Sequence, residues 1–302
     1  MKRGWITWDK TELPPSAFES RLAVLRQHLA AADLPAVVIY TDIWKSNQGR
    51  YFSNIMPYWN RALLVIPRDS APILLCGLSP RVYPWIRSVT ILDEIRPSQN
   101  IPLQLSQLRT EKGWTKIGVL DLPQIPWDLA VPNAVDVPWN SVRPQPDDAE
   151  LSMHRLAAKM AREILAEEIP HGVDAIDHAF VGRLERRFRR AGAEDLLILL
   201  TNGATPPLPP NGSNLGQSFS LTLALEYRGH WAKISRSIVP HVPGDSNSKT
   251  ELLSGPYPWE ACNVADLTSG ALFALHTETR QDGRRLFQGD SYWQGPNGAE
   301  LL

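Results

Sequence analysis

Apolar positions recur at spacings of three and four through residues 16–32, where Phe18, Leu22, Leu25, Leu29 and Ala32 form one stripe. That period predicts an amphipathic helix, and Asp33-Leu34-Pro35 ends it. Ala36-Val37-Val38-Ile39-Tyr40 follows as an unbroken apolar, β-branched run, the pattern of a short strand buried on both faces of a parallel or mixed sheet. Residues 62–66 and 73–76 repeat the pattern on either side of Pro67-Arg68-Asp69-Ser70-Ala71-Pro72, which predicts a hairpin with a polar turn. Residues 117–120 give a further buried strand. Residues 1–140 therefore read as an α/β domain.

Prolines 132, 138, 144 and 146 mark residues 131–148 as a linker into a second domain, 141–302, with Asp147 or Asp148 as the N-cap of the next helix. Residues 149–168 are rich in strong helix formers. Pro170-His171-Gly172 breaks that helix, and a second spans 175–190. The second helix carries Arg183, Arg186, Arg187, Arg189 and Arg190, which read as a solvated face balanced by Glu185 and Glu194. After Gly192 the pattern changes to strands at 196–200, 219–227, 231–239 and 271–277, with an exposed proline-rich loop at 206–212. Two helices followed by an antiparallel sheet make this domain α+β.

Composition narrows the function classes. In 302 residues, Lys+Arg 31 against Asp+Glu 32 gives a net charge of -1, so no overall field draws the chain to nucleic acid or anionic lipid. Small molecules or proteins are the expected partners, with no nucleic acid and no membrane. Two cysteines, Cys76 and Cys262, exclude a disulfide framework. No apolar run reaches membrane-spanning length and the first ten residues lack a signal-peptide core, so the expectation is a cytoplasmic protein. There is no phosphate-binding glycine pattern, no His-Glu-x-x-His or cysteine pair at metal spacing, and no serine nucleophile elbow.

Several short stretches, in order, resemble the creatinase and aminopeptidase P (Xaa-Pro peptidase) superfamily. They are Arg50-Tyr51-Phe52-Ser53, the strand 62–67, Arg143 with Asp148-Ala149-Glu150-Leu151, Pro170-His171-Gly172, Ala191-Gly192-Ala193-Glu194, Gly289-Asp290-Ser291-Tyr292-Trp293 and Gly298-Ala299-Glu300-Leu301-Leu302. The resemblance implies a creatinase-like α/β N-terminal domain and a shortened α+β pita-bread domain, in a homodimer. Peptidase members hold two divalent metals on two aspartates, a histidine and two glutamates. Gly229-His230-Trp231-Ala232-Lys233-Ile234-Ser235-Arg236 is similar to the stretch around the second aspartate, which puts Thr222 and Lys233 at the aspartate positions, and Gly270-Ala271-Leu272-Phe273-Ala274-Leu275 resembles the strand leading to the first glutamate, which puts His276 there and Gly289 at the other. Lysine gives no lone pair to a cation and repels it. The resemblance therefore implies no metal and no cofactor, and creatinase shows that this fold can work without metal.

Strand alternation places Thr222, Ala224, Glu226, Trp231, Lys233 and Ser235 on one face, with His276 and Glu278 joining them. Lys233, His276 and Glu278 are the candidate catalytic group, an acid/base constellation, or else a salt-bridged filling of a vacated cavity. Thr222, Glu226 and Trp231 are candidate substrate contacts. Trp59 and Arg61 resemble, with a one-residue gap, an aromatic-x-Arg pair that binds a substrate carboxylate in creatinase. Lys233 needs a partner, Glu226 or Glu278, or an anionic ligand. His230 should point away as a packing or surface histidine. Trp44, Trp59, Trp231 and Trp293 line a pocket or serve core and dimer packing. The expected function is metal-independent chemistry on a small amino-acid-like or amide-like molecule. The alternative is a catalytically silent partner protein, like the peptidase-like domain of a histone chaperone subunit.

Overall fold

The computed structural model describes residues 6–58, 60–239, 247–254, 260–263, 265, 267–281 and 283–302. The chain divides into two compact units, Ile6–Pro144 and Gln145–Leu302.

In the N-terminal unit, α1 (Pro15–Ala31) buries Phe18, Leu22, Leu25 and Leu29, the predicted stripe, and also Arg21. Arg21 is tolerated there because its guanidinium lies 4.2 Å from the Tyr51 ring centre and donates to the Tyr51 carbonyl at 2.9 Å. Six strands form one mixed sheet: β1 (Ala36–Thr41), β2 (Ala62–Pro67), β3 (Ile73–Cys76), β4 (Glu94–Pro97), β5 (Ile117–Leu120) and β6 (Ala134–Val137), in the order β4-β3-β2-β1-β5-β6. β2 is antiparallel to β1 and β3, and the remaining neighbours are parallel. Helices α2 (Asn47–Ser53), α3 (Tyr83–Val89), α4 (Ile101–Lys112) and α5 (Trp139–Val142) complete the unit. Val37, Ile39, Leu64 and Leu74 pack on the α1 side, and Val38, Leu63, Val65 and Leu75 pack under α4. Coverage of both faces explains the unbroken apolar runs. The linker expected at 131–148 instead contains β6 and α5. β6 is a half-polar edge strand between Pro132 and Pro138, so its proline flanks mask a parallel pairing with β5.

In the C-terminal unit, α6 (Asp148–Glu168) starts from Asp147, whose carboxylate accepts the Glu150 amide at 2.8 Å. α7 (Asp177–Arg190) follows. The Asp177 carboxylate accepts the Asn211 and Gly212 amides, each at 2.8 Å, and so pins the proline-rich loop. Arg183 and Arg187 do not use Glu185 or Glu194; both hold Glu168 at the end of α6, and Arg187 also pairs with Glu167. The sheet runs β11-β10-β12-β13-β9-β8-β7. Its members are β7 (Asp195–Thr201), β8 (Phe219–Tyr227), β9 (His230–Ile238), β10 (Asn247–Ser254), β11 (Glu260–Cys262), β12 (Leu272–Gln281) and β13 (Arg284–Gly295), with β14 (Gly298–Leu301) paired to β13. Leu221, Leu223, Leu225, Ala232 and Ile234 pack with Ala157, Ala161, Leu165, Phe180, Leu184 and Phe188 of the two helices. The alternate residues of β8 and β9 must then face the other way.

Candidate functional site

The turn between β8 and β9 is Arg228-Gly229, both with positive φ, +48° and +83°. Two left-handed residues make the tight connection of a two-residue hairpin, and this fixes the register. Thr222 lies opposite Ser235, Ala224 opposite Lys233 and Glu226 opposite Trp231. From Ser235 the same row continues to Gly289 on β13, His276 on β12 and Glu251 on β10. Paired residues share a face, so Thr222, Ser235, His276 and Glu251 form one transverse line, with Lys233 two residues along β9.

β9 and β13 meet through a single register pair, Gly289 and Ser235. Serine hydroxyls bridge the strands on both sides of it. Ser291 Oγ accepts the Lys233 amide at 2.8 Å and donates to its carbonyl at 3.1 Å, while Ser237 Oγ accepts the Phe287 amide at 2.7 Å. Gly289 is required at the pair: a Cβ there would stand 2.8 Å from the Leu275 carbonyl oxygen and 3.3 Å from the His276 Cα. The missing side chain lets the His276 ring approach β9.

A chain of hydrogen bonds results. Thr222 Oγ1 and Ser235 Oγ are 3.1 Å apart, and Ser235 Oγ is 3.2 Å from His276 Nδ1. His276 is half-buried, with its ring 5.1 Å from that of Phe287. Burial, and then the positive charge of Lys233, push its pKa down to about 4. The imidazole is therefore neutral at neutral pH. Lys233 is also half-buried, and burial lowers its pKa against the raising effect of Glu251. Glu251 is itself bonded to Lys249 at 2.6 Å, and among the described residues the Lys233 amine makes no hydrogen bond or ion pair.

No family model and no curated protein sequence matches the chain. Solved structures do. The prolidase of Pyrococcus horikoshii superposes with a TM-score of 0.70 at 12% identity, covering 93% of this chain and 97% of its own. The X-prolyl aminopeptidase of Caenorhabditis elegans, described as a cytosolic enzyme with a di-nuclear active site, gives 0.62 at 9% identity, covering 98% of this chain and 62% of its own. The N-terminal domain of a FACT complex subunit from Eremothecium gossypii gives 0.61 at 10%, covering 95% of each chain. The chain has the pita-bread peptidase fold.

The α/β plus α+β reading and the resemblance to Xaa-Pro peptidases agree with this fold. Within it, the predicted site residues separate. Lys233 and His276 share the sheet face as expected. Glu278 does not join them as an acid/base group, because Arg285 and Arg280 clamp its carboxylate, each within 2.8 Å, and hold its pKa down to about 2. The carboxylate partners expected for Lys233 are also corrected. Glu278 is committed to arginines, Glu226 has no exposed surface, and the carboxylate that acts on the amine is Glu251. Complete burial likewise removes Glu226 from the substrate contacts. Thr222 and Trp231 are 8% and 5% exposed, and the Thr222 hydroxyl is hydrogen-bonded to that of Ser235.

In the N-terminal unit, Arg61 is bound by Asp128, and Trp59 lies outside the described residues. Trp44 is 69% exposed. His230 points away from the site as alternation requires, its ring 5.0 Å from that of His154 on α6. Glu251, Arg280 and Arg285 were missing from the sequence reading. The run Lys249-Thr250-Glu251-Leu252-Leu253 has too little alternation to announce β10, and only the register against β12 brings Glu251 beside His276.

Proposed function

We propose that the Lys233/His276 face binds a small carboxylate-bearing, amino-acid-like or amide-like molecule and acts on it without metal. The observation that carries this is Lys233, a half-buried amine with no ion-pair partner among the described residues, beside a neutral histidine. An ammonium withdrawn from water is costly unless an anion meets it. A substrate carboxylate supplies that anion.

The donor set does not fit the di-nuclear centre named for the nematode aminopeptidase. Thr222 and Ser235 are hydroxyls bonded to each other, Lys233 is cationic, and Gly289 offers nothing. Among the described residues, the nearby carboxylates Glu251 and Glu278 are taken by Lys249, Arg280 and Arg285. Two divalent ions need several free anionic oxygens. His276 is left as the proton-transfer group. With Nδ1–H donated to Ser235 Oγ, Nε2 carries the lone pair and serves as base. An imidazole with a pKa of about 4 is a weak base, and a bound carboxylate raises it toward neutrality. Lys233 thus anchors the anion, and the anchored anion tunes His276. A homodimer and a cytoplasmic location belong to the same reading.

The second reading, a silent binding protein, is favoured by the likeness to the FACT subunit and by the buried, mutually bonded hydroxyls. A thermal-shift screen of chelator-treated protein against amino acids, guanidino compounds and cyclic amides decides between them. A ligand at 100 times its Kd stabilises by about 2.7 kcal/mol, which raises Tm by roughly 5–10 °C. The proposal expects such a shift in the wild type and its loss in Lys233→Met. No shift with any compound, together with a Lys233→Met protein more stable than wild type, leaves the silent reading.

A further inference from the structure

The face of the sheet opposite Lys233 carries a second polar cluster that the proposed function does not use. Glu150 and His154 sit four residues apart on α6, so they project from the same side of the helix. Their side chains are only 8% and 9% exposed. His230, at the start of β9, reaches the same point from the sheet. One ligand atom from each of the three residues lies within 4.8 Å of the others. His154 Nε2 is 3.9 Å from Glu150 Oε1.

The two imidazoles are oriented alike. His154 Nδ1 lies 3.0 Å from the Trp231 carbonyl oxygen, and His230 Nδ1 lies 2.9 Å from the Arg228 carbonyl oxygen. A carbonyl only accepts, so each Nδ1 carries a proton, which leaves Nε2 as the atom that can take a metal once the ring is neutral. A backbone carbonyl on one nitrogen that fixes the other as a donor atom is the arrangement found behind metal-bound histidines. Two histidines and a carboxylate form a recognised ligand set for zinc. The ring centres are 5.0 Å apart with planes at 85°, so the rings do not stack on each other and can converge on one point.

We propose that Glu150, His154 and His230 bind one divalent zinc-class ion, which ties α6 to the β8–β9 hairpin. Ligand atoms about 2.1 Å from a tetrahedral ion stand roughly 3.4 Å apart, so closure needs inward movement of up to about 1.5 Å, within reach of side-chain torsions. Three protein ligands leave the fourth position to water. The expectation that the chain holds no metal rests on Thr222, Lys233, His276 and Gly289 at the ligand positions of the opposite face, and it does not reach this cluster. Glu150 and His154 are four residues apart but His230 lies far along the chain, so no local motif could announce the three together.

The test uses the full-length chain, stripped with chelator and titrated with Zn²⁺ or with Co²⁺ as a spectroscopic probe. The proposal expects about one equivalent per chain by elemental analysis, the visible absorption of tetrahedral Co²⁺, and a Tm that rises with Zn²⁺. Uptake should fall at least tenfold in affinity in His230→Ala and in His154→Gln, and stay unchanged in Lys233→Met and His276→Gln. His230 is half-buried at a strand end, so His230→Ala keeps the test decisive if His154→Gln fails to fold. No uptake by folded wild type, or uptake that survives His230→Ala, overturns the site. Uptake lost in His276→Gln but not in His230→Ala would move the metal to the opposite face and contradict both proposals.

Discussion

Replacing Lys233 with methionine should raise the pKa of His276 by about one unit. Lys233 lies two residues along β9 from Ser235, and His276 lies two strands across from it. With strands about 4.8 Å apart and a rise of about 3.3 Å per residue, the two Cα atoms are roughly 12 Å apart. Unit charges at that distance and an effective dielectric of about 20 repel by ~1.4 kcal/mol, which is about one pKa unit. Burial is the larger cause of the shift and remains in the variant, so His276 should move from about 4 to about 5 and stay below its ordinary 6.5.

The shift has a stability consequence with a definite sign. Between about 4 and 6.5 the unfolded chain binds a proton at His276 that the folded chain does not. Stability from this residue is therefore complete above 6.5 and declines as pH falls to about 4. The difference of 2.5 units sets a ceiling of about 3.4 kcal/mol, and the solvent access of a half-buried ring reduces this to about 2 kcal/mol. Lys233→Met should recover about a third of that loss at pH 4. Histidine ring-proton NMR titration of both proteins, with urea unfolding at pH 4 and pH 7, measures the two effects. A His276 pKa that is unchanged or lower in the variant refutes the placement of the lysine charge beside the imidazole.

Gly289→Ala should cost about 1–3 kcal/mol in urea unfolding, because its Cβ would meet the Leu275 carbonyl at 2.8 Å; separation of His276 from Ser235 should also change the His276 titration. Glu278→Gln removes a carboxylate held by two guanidiniums at 17% exposure and should cost about 1–3 kcal/mol at pH 7. Because its folded-state pKa is held near 2, the stability contributed by Glu278 is present above about 4.5 and lost as pH falls toward 2, which acid titration of wild type against variant reads directly. Glu168→Gln breaks the bonds that Arg183 and Arg187 make to a carboxylate only 7% exposed, and should lower Tm by a few degrees.

The parts of the fold legible in sequence are those where period and burial agree. The α1 stripe and the runs at β1, β2, β3 and β5 are bounded by Asp, Pro and Gly and enclosed on both faces. β6 and β10 were invisible for opposite reasons: one is an edge strand between prolines, and the other carries charged residues on the face that meets the site. Alternation alone placed Lys233 and Ser235 on one face and His230 on the other, since side-chain direction along a strand follows from period two. Partner choice was not legible. Whether Lys233 meets Glu226, Glu278 or Glu251 depends on strand order and on Arg280 and Arg285 claiming Glu278 first.

The central claim is that Lys233 and His276 form a carboxylate site that needs no metal. Titration calorimetry of chelator-treated wild type with the strongest compound from the thermal screen, repeated after adding Mn²⁺ or Zn²⁺, addresses it directly. The account predicts one site per chain, equal affinity with and without metal, at least a tenfold loss in Lys233→Met, and a rise in the His276 pKa on binding. Binding that appears only after metal is added, and survives Lys233→Met, would contradict it.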